Sequence, residues 1–189
     1  MDWLEMLNKR SQTFAFSDVI PDKSIIEEII NEIHDHVPVK QNEFYYSLEI
    51  FDNSNIMLRT NIYKTTWAGN RYNPQVLAPW LFVFKENHNL VNKNKGYHVE
   101  RNYANLQIGM VAMFIAMSAI NKGLDVGFCQ CIYDQEMLKN LIGDEVVLLV
   151  GLGYKSTKDT YYCVIDKTEK PVPGKNIVKP DLGQYTKWI

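Results

Sequence analysis

Four groups of residues in this 189-residue chain have types and spacing that could do chemistry. Cys129-Gln130-Cys131 puts two thiols on one short segment and looks like half a metal site. Zinc in a structural site takes four ligands; Cys163 and the histidines are distant at no matching spacing, so the pair reads as buried thiols on a strand. His34-Asp35-His36 carries imidazoles at i and i+2, which point to different faces of a helix end. Lys9-Arg10-Ser11 offers two cations and a hydroxyl, a donor set that suits a phosphate. A basic helix C-terminus is also what the helix dipole favours. Gly151-Leu152-Gly153 follows a strand, but no third glycine stands three residues on and no helix pattern follows, so it reads as a strand ending in a turn. No Ser-His-acid or Cys-His arrangement stands out, and no residue is assigned a catalytic role or a metal.

The elements that must position these groups are organised around Leu106–Cys131, LQIGMVAMFIAMSAINKGLDVGFCQC. From Leu106 to Ile120 only Gln107, Gly109 and Ser118 interrupt an apolar or alanine run. A helix apolar on nearly every face must be enclosed by other elements. Its apolar run falls short of the roughly 20 residues that a bilayer requires. Gly123 suits the left-handed C-terminal cap, and LDVGFCQC reads as a buried strand.

Composition sets the bounds. The length suits one domain, 1–189, and 46% apolar with 22% charged residues is the composition of a folded chain. A net charge of −2 gives no basic face for nucleic acid. Three cysteines without framework spacing fit a reducing compartment, and MDWLEMLNKR is not a secretory signal, so a cytoplasmic location is expected.

Along the chain, Trp3, Leu4, Met6 and Leu7 space like one face of a short helix. A second helix follows Pro21-Asp22, with Ser24 and Glu27 at capping-box spacing and a stripe of Ile25, Ile26, Ile29, Ile30 and Ile33. Phe44–Phe51 alternates as a strand, residues 53–68 are weakly helical, 68–76 read as a polar loop, and Pro79–Lys85 as a buried strand. Residues 86–98 read as a solvated loop. After the central helix, Asp134 caps a helix that Gly143 ends, and Glu145–Tyr154 and Tyr161–Ile165 read as strands. Residues 166–189 form an extended arm ending in the apolar anchor Trp188-Ile189. Single strands between helices predict an α+β sandwich with a mixed sheet around the central helix.

Several of these weak signals together resemble the nitroreductase family of FMN-dependent oxidoreductases. Lys9-Arg10-Ser11-Gln12-Thr13-Phe14 looks like its Arg-Arg-Ser-x-Arg/Lys-x-Phe/Tyr opening, and Pro38-Val39-Lys40-Gln41-Asn42 like its Pro-Ser-x-x-Asn segment. Asn73–Pro79 resembles the approach to its Ala-Pro strand, and Gln107 falls where the family often has a flavin-contacting Gln. Gly123-Leu124-Asp125 and Gly151-Leu152-Gly153-Tyr154 resemble its Gly-Leu-Gly/Asp turn and late Gly-Tyr strand end.

The resemblance implies an intertwined homodimer with FMN in each of two interfacial pockets and NAD(P)H as co-substrate. Arg10, Ser11 and the basic position held here by Thr13 would take the phosphate and ribityl end. Pro38, Val39, Lys40 and Gln107 would approach from the other subunit, while Asn42 and Asn73 would hydrogen-bond ring or ribityl oxygens. Cys129 and Gln130 would lie near the reactive edge, and Lys175 or Lys179 would grip phosphate. Phe44, Tyr45, Trp67 and Phe128 would wall the acceptor site. The central helix would be the dimer spine, with Gly109, Ala112, Ala116 and Ala119 permitting close approach. Thr13, Val39 and Phe44 depart from the family pattern, and losing a cation weakens phosphate binding. The implied activity is electron transfer from NAD(P)H to a nitroaromatic or quinone-like acceptor; the departures motivate the alternative of a flavin-binding or degenerate protein without turnover.

Overall fold

The computed structural model describes residues 2–39, 42–69, 72–93 and 100–173. Lys40, Lys175, Lys179 and the anchor Trp188-Ile189 lie outside them. Helix α1 (Trp3–Lys9) starts at Asp2, whose carboxylate accepts the Glu5 amide at 2.8 Å. Helix α2 (Lys23–His36) buries Ile26, Ile29 and Ile33, as the isoleucine stripe predicts. The capping box does not form: Asp22, not Ser24, holds the N-cap position, and its side chain makes no capping bond.

Strand β1 (Tyr46–Phe51) leads to α3 (Ile56–Thr65), then to a 3-10 turn over Pro74–Leu77 and strand β2 (Trp80–Glu86), buried throughout. Residues 73–76, expected in a polar loop, are buried instead. The supposed solvated loop opens with a short helix, α4 (His88–Lys93). Helix α5 (Glu100–Asn121) ends at Gly123, whose φ of +79° is the left-handed turn expected there. Strand β3 (Asp125–Cys129), helix α6 (Gln135–Ile142, capped by Asp134) and strand β4 (Val146–Gly153) follow. Strand β5 (Thr160–Cys163), at the strand expected over Tyr161–Ile165, pairs as a hairpin with β6 (Thr168–Pro171), which opens the stretch expected as an extended arm.

The main sheet has the order β1-β2-β4-β3, and all three pairings are antiparallel. A parallel strand, which the expected mixed sheet needs, is absent among the described residues. Alternation along β2 sends Phe82 and Phe84 to a core with α2 and α5, and Leu81 and Val83 to a second core. That second core holds Ile62 and Tyr63 of α3, Leu138 of α6 and Tyr161 and Cys163 of β5. The chain is thus a sheet with a core on each face.

Helix α5 spans 22 residues, and its Tyr103–Asn121 stretch is long and apolar enough to cross a membrane, although over half of it is buried within the chain. Its small residues face inward: Ala112, Ala116 and Ala119 belong to the core with α2 and the sheet. This corrects their assignment to a helix-helix contact between copies. The face left outside carries Leu106, Gly109, Met113 and Phe114, beside Trp3 and Leu4 of α1.

Candidate functional site

The opening motif is pinned to strand β3. The Gln12 side chain donates from Nε2 to the Phe128 carbonyl at 2.8 Å and accepts the Phe128 amide on Oε1 at 3.1 Å. A side-chain amide thereby pairs with an edge strand as a neighbouring backbone would. One residue on, the Thr13 amide donates to the Val126 carbonyl at 3.0 Å. Gln75, from the 3-10 turn, donates to the same Phe128 carbonyl at 3.1 Å.

This convergence depends on two glycines that face each other across β3 and β4, Gly127 and Gly151. A Cβ on Gly127 would stand 2.1 Å from the Thr13 carbonyl oxygen, and one on Gly151 2.1 Å from that of Gln75. Both contacts are to backbone, so only glycine lets the two segments lie against the sheet. Arg10, Ser11, Thr13, Asn73 and Gln130 therefore belong to segments gathered at the β3 edge of the sheet.

Their side chains differ in availability. Arg10 is half-buried and Ser11 exposed, and among the described residues neither side chain has a hydrogen-bond or ion-pair partner. Thr13 is 1% exposed and its Oγ1 is unpartnered, as is Oε1 of the equally buried Gln75. Asn73 is already committed: its Nδ2 donates to the Thr66 carbonyl at 2.6 Å and its Oδ1 accepts from Gln75 at 3.3 Å. Cys129 is buried in the second core, where desolvation pushes its thiol up to about 12, so it is a protonated, inert group near neutral pH. Gln130 and Cys131 are exposed beyond it.

The second group lies at the opposite edge. Pro38 is exposed, Val39 half-buried, and Asn42 adopts a left-handed φ of +57°. Gln107 is buried near the start of α5, where its Oε1 accepts the Tyr45 amide at 3.0 Å and its Nε2 donates to the Glu43 carbonyl at 3.2 Å. Its amide is spent on holding the entry to β1. Phe44 stacks on His34 with ring centroids 5.9 Å apart, and Tyr45 is fully buried. Phe128 is half-buried, which leaves Trp67 the most open of the four supposed acceptor walls. Strands β1 and β3 are three spacings apart in the sheet, roughly 14 Å. Within one chain the two groups do not converge.

Gln12 and Gln75 are the residues that sequence reasoning passed over. Gln12 falls at a position that the opening motif leaves free, and Gln75 within the polar stretch 68–76, whose composition is that of a loop. A polar amide between Pro74 and Val76, ahead of a strand that opens with five apolar residues, is the one local signal of burial.

Helices on both faces of a four-stranded antiparallel sheet, with a long apolar helix running into its edge strand, define an α+β sandwich class. The nitroreductase fold is its particular form here. A nitroreductase family protein from Streptococcus pneumoniae superposes with a TM-score of 0.72 over 100% of both chains at 13% identity. Nitroreductase A from Vibrio parahaemolyticus gives 0.69 over 95% of this chain and 78% of its own at 13% identity. A Staphylococcus epidermidis protein assigned as an NAD(P)H:FMN oxidoreductase gives 0.73 over 100% of this chain and 96% of its own at 14% identity. No family profile matches the sequence, and no curated protein matches it. Such low identities establish the fold and leave the chemistry to the site.

Proposed function

We propose that the chain is a flavin-dependent NAD(P)H oxidoreductase that holds FMN between two copies of itself. The observation that carries this reading is the donor pair Arg10-Ser11, side chains without partners among the described residues, on a segment that Gln12 fastens beside Gln130. A guanidinium next to a hydroxyl fits a phosphate. Two buried, unpartnered side-chain oxygens on Thr13 and Gln75 lie in the same polar cluster and fit a cofactor rich in polar groups.

Bound there, FMN would supply hydride acceptance from NAD(P)H and electron delivery to a small nitroaromatic or quinone-like acceptor. The chain's own residues bind and orient. Arg10 and Ser11 anchor the anionic end. Gln12 and Gln75 set the position of residues 128–130 at the reactive edge. Pro38, Val39 and Asn42, with Lys40, complete the pocket from the second copy, while Gln107 orients that segment through Glu43 and Tyr45. Lys175 or Lys179 adds a cation for the phosphate. The roughly 14 Å between the two sheet edges supports assembly from two copies. So does the apolar face of Trp3, Leu4, Met113 and Phe114, which a second copy would cover. We assign the protein to the cytoplasm.

One observation favours the alternative of a flavin-binding or degenerate protein with little or no turnover. Thr13 puts a buried neutral hydroxyl where the family pattern has a cation, so charge stabilisation of reduced flavin is lower. Anaerobic titration separates the two readings. The oxidoreductase, reconstituted with FMN, bleaches on addition of NADH or NADPH and recovers its colour with a quinone. Protein that stays yellow with both donors, or that takes up no FMN, contradicts the oxidoreductase and supports the alternative; steady turnover with a quinone or nitroaromatic acceptor rules the alternative out.

A further inference from the structure

A cleft of about 510 Å3 lies between the Phe14–Asp18 segment, helix α3 and the turn at 155–158 that leads into β5. That volume is in the range of small-molecule sites, roughly 300–1,000 Å3. None of the residues assigned above to the flavin lines it.

Its walls combine three kinds of group. In α3, Arg59 is 4% exposed and donates to four carbonyls, those of Phe51, Asp52, Val76 and Ala78. Its Nε is unpartnered, and no carboxylate forms an ion pair with it among the described residues. Burial lowers the guanidinium to about 10, which leaves it charged at neutral pH. The Asp52 charge offsets part of that burial cost without forming an ion pair, and the remaining partners are carbonyl dipoles, so a further anion beside the guanidinium is favoured. Lys155 and Lys158 add two exposed ammonium groups to the lining, also without a carboxylate partner among the described residues, and Ser156 and Thr157 stand between them as hydroxyl donors.

The second kind is aromatic: Phe16, half-buried, and Tyr162, exposed, offer ring surface to a planar group. The third is acidic. Asp18 and Glu169 line the same cleft. A carboxylate among cations weakens a site for a bare anion, yet it is the acceptor that sugar hydroxyls require.

We propose that this cleft binds a nucleotide, with its phosphate toward Lys155 and Lys158, its ribose hydroxyls on Asp18 or Glu169 and its base against the aromatic wall. The site stands apart from the flavin reading and does not depend on it. The same adenylate chemistry could arrive as a free nucleotide or as the adenosine end of the dinucleotide donor.

The test is calorimetric titration of the full chain with AMP, with adenosine as the phosphate-free comparison. AMP binds, and adenosine binds at least about tenfold more weakly, as the loss of charge-assisted bonds requires. The surface double variant Lys155→Glu/Lys158→Glu keeps its melting temperature and FMN content but loses at least about tenfold in AMP affinity. Competition between AMP and NADH or NADPH identifies the donor's adenosine end; AMP binding without competition identifies a free nucleotide. The site is overturned by AMP that fails to bind, or by binding that the double charge reversal leaves unchanged. Failure of the flavin reading has a different signature, AMP binding to a protein that takes up no FMN.

Discussion

The two edges of the sheet are built on the same device and come out differently. At the β3 edge, Gln12 pairs with the Phe128 backbone across 116 residues of chain, in a part-buried position beside exposed Ser11 and Gln130. At the β1 edge, Gln107 pairs with Glu43 and Tyr45 across some 60 residues, and it is itself buried. Both glutamines supply an amide where the backbone lacks a partner. The first leaves its neighbours free to meet a ligand; the second is used up in holding the fold. A residue that matches a cofactor-contacting position by type can thus have its amide bonded within the fold, while Gln12 holds the segment that carries the proposed donors.

The largest effect should come from the glycines beneath the β3 edge. Gly127→Val and Gly151→Val force side chains into the Thr13 and Gln75 carbonyls, where an added Cβ already stands at 2.1 Å. Each should cost about 3 kcal/mol or more, read as loss of a cooperative melting transition or of soluble protein. No glycine of comparable constraint supports the β1 edge among the described residues.

Next come the clamps themselves. Gln107→Ala strands a buried amide and a carbonyl and should cost about 2–3 kcal/mol, whereas Gln12→Ala, where water can enter, should cost about 1–2 kcal/mol. Denaturant midpoints measure both. FMN retention should reverse the order, with Gln12→Ala the more damaging. Equal stability costs with equal FMN loss would break the comparison.

The two thiols at the end of β3 offer a smaller contrast. Burial raises the Cys129 thiol to about 12, so at pH 8 it is protonated as well as inaccessible, while Cys131 is exposed. Iodoacetamide on the native protein should label Cys131 and spare Cys129 and Cys163, and all three should react once unfolded. Native labelling of Cys129, read by peptide mass mapping, would remove it from the core.

The smallest effect concerns the ion pairs joining α2 to α5. Glu32 is held below the ordinary carboxylate range, first by the Ser118 hydroxyl and then by Lys122. A carboxyl lowered on folding stabilises above its unfolded pKa of roughly 4.3 and loses that contribution as pH falls through the folded value. The pair is partly exposed, so Glu32→Gln should cost no more than about 0.5 kcal/mol at pH 7. The variant should match the parent once the parent's Glu32 is protonated, and thermal melts from pH 7 to pH 3 measure this.

Legibility in the sequence followed the range of the interactions. The isoleucine stripe of α2, Asp134 and Gly143 around α6, and the β-branched run of β4 are local patterns, and each element stands where its pattern predicts. The Pro74–Leu77 turn and strand β6 have no periodicity of their own and lie in stretches whose pattern shows only a loop and an extended arm, whereas β5 overlaps the strand expected at Tyr161–Ile165. The resemblance puts the α5 alanines at a contact between copies, yet they pack inside the chain, because an all-apolar helix shows that it is enclosed but not which side meets the sheet. At the site, Arg10 and Ser11 were legible as donors, but the amide bonds that hold them cross more than a hundred residues and leave no local trace.

The central claim is that two sheet edges, apart in one chain, form one site between two copies. Size-exclusion chromatography with light scattering on FMN-reconstituted protein tests it most directly. The account predicts flavin absorbance travelling with a species of twice the 22.0 kDa chain mass, and with none of the single chain. FMN retained on a 22.0 kDa monomer would contradict it.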